Sequence, residues 1–166
     1  LLNETLVARA VYSASCGGSL GGFVETWGGE PVSYLRPHLD TLHVPEAFSG
    51  GLNADNIDDF LSNPPDAFDD SDRYNAQRLF RWNIERSGGE LNESVNARYA
   101  VGTVNDLEVL ERDGSGRVVR LLIRGSSGEV TVERELPIRR ALGNLRSALF
   151  TLEVDHSTDG SVRVAR

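Results

Sequence analysis

The chain has 166 residues, 39% hydrophobic and 25% charged, proportions that suit one globular domain over residues 1–166 and exclude a disordered or fibrous protein. Acids outnumber bases 25 to 17, for a net charge of −8, so the basic footprint of a nucleic-acid binder is missing. Lysine is absent and Cys16 is the only cysteine, which rules out a Schiff base, a phosphate-loop lysine and an internal disulfide.

Taken in chain order, Thr5 to Tyr12 alternates well enough to predict a strand, and it feeds the turn Ser13-Ala14-Ser15-Cys16-Gly17-Gly18. The glycine-flanked piece from Phe23 to Trp27 reads as extended, as does Val32 to Leu35 between Pro31 and Pro37; Arg36 to Ser49 reads as loop. A helix is expected over Asn53 to Ser62, capped by Asn53 or Asp55 and stopped by Asn63-Pro64-Pro65. The acidic stretch Asp66 to Asn75 then reads as a solvated loop.

Leu79 to Glu85 has the clearest period-two alternation, which predicts a strand with Phe80, Trp82 and Ile84 inward. Ser87-Gly88-Gly89-Glu90 has the form of a capping box ahead of a short helix with Leu91 and Val95 on one face. Asp106–Glu111, Arg117–Arg124 and Glu129–Arg134 predict an antiparallel meander across two glycine turns. Pro137 and Gly143 bracket a further helix, and Ser147–Asp155 with Ser161–Val164 predict a last hairpin. The fold class expected is α+β, mostly antiparallel strands with two or three short helices. No apolar stretch reaches the ~20 residues that a bilayer span needs. The opening Leu1-Leu2-Asn3-Glu4, in a chain without methionine, points to a trimmed or excised segment.

The chemistry concentrates at Ser13, Ser15, Cys16, Gly17 and Gly18, with Trp27, Tyr34 and Arg36 downstream. Two hydroxyls, a thiol and backbone amides freed by glycines suit hydrogen bonding to sugar oxygens; the bland alternative is a structural turn around a buried thiol. Tyr34 could stack on a sugar and Arg36 could grip a carboxylate, or one could be core and the other solvated. Trp27 could stack on a sugar as well, but core is the preferred reading for so large an aromatic. A Cys16 nucleophile with His38 or His43 would make a cysteine hydrolase, but nothing supplies a third orienting group. No cofactor or metal is expected: Cys16 and these histidines lack a fixed zinc spacing, and Asp66–Asp72 lacks the spaced ligands of a calcium loop. No catalytic residue can be assigned; Glu25, Glu30 and Glu46 are the carboxylates nearest the turn.

One ordered series of motifs stands out. Ala10 through Gly18, then Glu25 and Trp27, Tyr34-Leu35-Arg36, Phe80-Arg81-Trp82, Gly102-Thr103, Ser115-Gly116-Arg117-Val118, Ile138 through Gly143, Leu145-Arg146-Ser147 and Phe150 together resemble the central region of stage II sporulation protein D and the related amidase enhancers. The resemblance spans residues 8 to 154 and rests on order, since no single piece is specific. It implies the peptidoglycan-binding part of a lytic transglycosylase in the bacterial envelope, outside the cytoplasm, with peptidoglycan glycan strands as partner. The alternative it implies is a non-catalytic module that stimulates a cell-wall amidase. That family's catalytic glutamate, on a helix preceding the matched region, has no counterpart here, nor does its carboxyl-terminal motif.

Overall fold

The computed structural model describes residues 2–3, 6–70, 77–154 and 162–165. The α+β class holds: short helices pack against antiparallel sheets. The meander is the framework. β6 (Val104–Arg112), β7 (Val118–Gly125) and β8 (Gly128–Glu133) pair antiparallel in the order β6-β7-β8, and β7 is nearly continuous hydrophobe because it lies at the centre. A second three-stranded sheet joins β5 (Asn83–Arg86), β10 (Val162–Ala165) and β9 (Thr151–Val154), with β10 in the middle.

Helix α4 (Gly88–Asn96) starts on the expected capping box, Ser87 and Glu90 each satisfying the other's backbone N–H. It buries Leu91 and Val95 against α5 (Glu135–Ala141), which lies on the meander. These elements enclose the larger core, around Leu121, Ile123, Ile138, Leu142 and Phe150. A smaller core of Leu39, Phe48, Leu52, Ile57, Phe60 and Leu149 sits under α2 (Ile57–Ser62), where Asn56 takes the cap position in place of the expected Asn53 or Asp55.

The first half departs most from expectation. Among the described residues, pairing in the predicted amino-terminal strand is confined to β2 (Leu6–Val7) against β1 (Leu2–Asn3), so residues 8–13 approach the turn without a ladder. Phe23–Trp27 is helical, α1, not extended. Gly22 supplies an extended entry residue, the Phe23 N–H is held by the Leu35 carbonyl at 3.0 Å, and Gly28 closes the turn at φ 75°. Phe23 is buried, whereas Trp27, the last residue of the helix ahead of Gly28, is exposed. Val32–Leu35 is a turn closed by a bond from the Leu35 N–H to the Val32 carbonyl. The loop expected from Arg36 contains β4 (His38–Leu39), which pairs with β3 (Ser19–Leu20), and a 3-10 turn at Glu46–Phe48.

The alternation over Leu79–Glu85 belongs to two elements. Gln77–Phe80 is a helical turn, α3, and only Asn83–Arg86 is strand. Phe80 and Trp82 are both buried as the period demands, but the residue between them is no solvated strand position. The Arg81 guanidinium donates to the carbonyls of Gly17, Phe60, Phe80 and Leu61, stitching the junction to the turn and to α2.

Candidate functional site

The Ser15–Gly18 turn is wrapped around a carboxylate of the protein itself. Oδ2 of Asp69 accepts from the hydroxyl of Ser15 at 2.9 Å, the N–H of Cys16 at 2.7 Å and the N–H of Gly17 at 3.1 Å; Oδ1 accepts from the N–H of Gly18 at 3.2 Å. Gly17 and Gly18 adopt φ 70° and 82°, which turns successive amides inward to form this anion nest. A Cβ on Gly18 would meet Phe60, Ala67 and Phe80 at ordinary contact distance, so the positive φ is what calls for glycine there. The three amides from Cys16 to Gly18 are therefore spent on Asp69 and offer no donor to a sugar. Asp69, expected in a solvated loop, is half-buried, and its own N–H bonds Oδ2 of Asp40 at 3.0 Å. Burial acts to raise its pKa, but the bonds from Ser15, Cys16 and Gly17 outweigh that and hold it below the usual carboxylate value.

Cys16 is buried, and its thiol is pushed up to about 12, first by burial and then by the charges of Asp69 and Asp40. At neutral pH it stays a thiol that hydrogen-bonds Asp69, the opposite of an activated nucleophile. His38 and His43 are both exposed, with His38 Nδ1 against the Arg36 carbonyl at 3.0 Å; His156 lies outside the described residues. Ligand atoms of Cys16, Asp40 and Asp69 do come within 4.8 Å of one another. A cation there would have to displace the thiol proton and compete with the donors already on Asp69.

Behind the turn stands Arg117, buried and bonded on several sides. Its Nη1 donates to the Ser19 carbonyl and to Ser115 Oγ, both at 2.9 Å, and its Nη2 to the Cys16 carbonyl at 3.2 Å. Nε faces Glu135 Oε2 at 3.7 Å, and Arg139 Nη1 faces the other oxygen of Glu135 at 3.4 Å. Asp113 positions the arginine by accepting the N–H groups of Ser115 and Arg117 and the Ser115 hydroxyl. The Ser115-Gly116-Arg117 turn, a hairpin signal by sequence, is thus what couples the meander to the Cys16 turn.

A cleft of about 170 Å³ opens between this turn, α1 and the start of α5. Ser13, Ser15 and Cys16 line it, together with Tyr12, Thr26, Trp27, Arg117, Glu135, Arg139, Arg146 and Ser147. Gly17, Gly18, Tyr34 and Arg36 do not. Tyr34 is spoken for elsewhere, its hydroxyl accepting the Arg9 N–H at 2.6 Å, and Arg36 is exposed. Trp27, expected in the core, is 61% exposed, and Tyr12 is 94% exposed. Of the three carboxylates proposed near the turn, none lines the cleft; Glu135 does, and it came without a sequence signal because its placement depends on how α5 docks.

One protein family, described as a domain of unknown function (DUF8618), matches residues 21–164. No curated protein and no solved structure matches the chain.

Proposed function

Because the chain belongs to the DUF8618 family, whose description assigns no function, we propose a role from the cleft itself: it binds carboxylate-bearing glycan strands of peptidoglycan in the bacterial envelope. The observation that carries this reading is Trp27, a large aromatic ring left 61% exposed at a cleft that also holds the hydroxyls of Ser13 and Thr26 and the guanidinium of Arg139. An exposed ring beside hydroxyls offers a sugar a stacking face and hydrogen bonds at once, and arginines match the lactyl carboxylate of a muramic residue. The resemblance of the motif series to stage II sporulation protein D and the amidase enhancers supports the same substrate.

Binding, not cleavage, is what the lining residues supply. Glycan cleavage needs a carboxyl group that can hand over a proton, whereas Glu135, the carboxylate in the cleft, is committed to Arg117 and Arg139. The chain therefore acts as a recognition module, the role of an amidase enhancer more than that of a transglycosylase. Incubation with purified, peptide-free glycan strands tests this: retention of the protein on the strands without release of an anhydro-muramic product is the expected result. Failure to bind would overturn the glycan reading, and an anhydro product would overturn the non-catalytic one.

A further inference from the structure

The cleft carries a second aromatic ring that the fold does not use. Tyr12 is 94% exposed, so its side chain packs on almost nothing, yet it lines the cleft together with Trp27 and with Val11, itself 40% exposed. Single exposed apolar residues are ordinary, but several on one small cleft mark a place where something binds. The backbone that carries Tyr12 is equally unsupported. Ala10 to Ala14 are all exposed, and none of them makes a hydrogen bond among the described residues. This stretch is a strap tethered at its two ends. At Arg9 the N–H donates to the Tyr34 hydroxyl at 2.6 Å and the guanidinium lies 4.9 Å from the centre of the Phe23 ring; at Ser15 the hydroxyl donates to Asp69 Oδ2 at 2.9 Å. Exposed backbone with few contacts rearranges at little cost, so the strap can move while both tethers hold.

We propose that Tyr12 is a sugar-contact residue, carried by the strap onto a single muramic residue that lies on Trp27, so that the two rings clamp one sugar between them. The inference rests on the glycan reading of the cleft and adds where along the strand the grip falls. At about 170 Å³ the cleft is well below the ~300–1,000 Å³ of a pocket that encloses a drug-sized ligand, so one pyranose enters it and the rest of the strand runs outside. The pyranose that enters is the muramic one because of Arg139, which spends Nε on the Leu145 carbonyl and Nη1 on Glu135 but keeps Nη2 without a partner among the described residues. A pyranose has two faces that carry C–H groups, and Trp27 covers one of them; Tyr12 covers the other. Ordering the strap opposes binding, so Tyr12 contributes less than Trp27, which α1 already holds in place.

The test measures binding of the whole chain to peptide-free glycan strands, and its inhibition by free N-acetylmuramic acid, in the wild type, Tyr12→Ala, Tyr12→Phe and Trp27→Ala, with thermal melts as the control for folding. Tyr12→Ala is expected to weaken binding of strands and of the monosaccharide alike by about fivefold, less than Trp27→Ala does, with the melt unmoved. Tyr12→Phe keeps the ring and is expected to recover most of that loss. Strands bound as well by Tyr12→Ala as by the wild type overturn the clamp and leave the glycan reading standing. So does a loss toward strands alone, or strand binding with which the monosaccharide does not compete, since either would spread the grip over more than one sugar. Strands that the wild type itself does not retain overturn the glycan reading, and the clamp with it.

Discussion

The Asp69 carboxylate accepts the N–H of Cys16, 53 positions away, at 2.7 Å, and the Ser15–Gly18 turn closes around it. With Ser15, Gly17 and Gly18 donating as well, Asp69 occupies the seat that an external anion or a sugar oxygen would otherwise take. Asp69→Asn replaces one oxygen by an N–H₂ group that faces donors, and a loss of about 2 kcal/mol in urea unfolding is expected. The pH dependence has a definite sign. The folded pKa of Asp69 lies below the unfolded value of 3.8, so its contribution is complete above 3.8 and is lost as pH falls from there through the folded pKa. Asp69→Asn should therefore flatten the acid limb of the stability curve; an unchanged limb would show that the nest does not depend on the charge.

Cys16 titrates the opposite way. Its thiol is raised from 9.0 in the unfolded chain to about 12 in the folded one, so the folded state holds the proton longer and stability declines as pH rises from 9 toward 12. The stability curve of Cys16→Ala should lack that decline. At pH 8 iodoacetamide should label the native protein far more slowly than the urea-unfolded one. Labelling at equal rates would mean that the thiol is neither buried nor held by Asp69.

The meander, α4 and α5 were legible in the sequence because their signals are local: glycine hairpin turns, a Ser87/Glu90 capping box, a proline and a glycine bracketing one helix. The site was legible only in half. Ser13, Ser15 and Cys16 could be picked out by residue type, but what each does depends on partners far along the chain: Asp69 at 53 or 54 positions, and Arg117 at 101 from Cys16. No spacing rule joins residues so distant, and an aspartate in an acidic stretch looks the same whether solvated or nested. Trp27 was misjudged for a related reason. Positions 23 and 27 share a face in an extended and in a helical reading alike, so the period does not separate them; Phe23 packs inward and Trp27, at the end of α1, does not.

Arg117 and Glu135 make an asymmetric pair. Arg117→Met strips donors from the carbonyls of Cys16 and Ser19 and leaves a buried carboxylate one partner short, for an expected loss of about 3–5 kcal/mol. Glu135→Gln leaves those carbonyl bonds in place and should cost less, about 1–2 kcal/mol. A double-mutant cycle read by chemical denaturation should give a positive coupling between them. Strict additivity would mean that Arg117 acts only through the turn carbonyls and owes nothing to α5.

Trp27 and Tyr34 separate recognition from architecture. At 61% exposure Trp27 contributes little to folding, so Trp27→Ala should change stability by less than about 0.5 kcal/mol. If the ring is the stacking face for a sugar, the same variant should lower affinity for peptidoglycan sacculi about tenfold, the ~1.4 kcal/mol expected of one stacked aromatic. Tyr34→Phe makes the opposite change. It removes the hydroxyl that anchors the Arg9 N–H without touching Trp27, so it should loosen the amino-terminal segment that carries Tyr12 and Ser13 and lower sacculus binding less than Trp27→Ala does. Co-sedimentation with sacculi, run beside thermal melts of both variants, reads the two effects apart. Binding lost in Tyr34→Phe and kept in Trp27→Ala would move the glycan site away from the cleft and onto the face where Tyr34 and Arg36 lie.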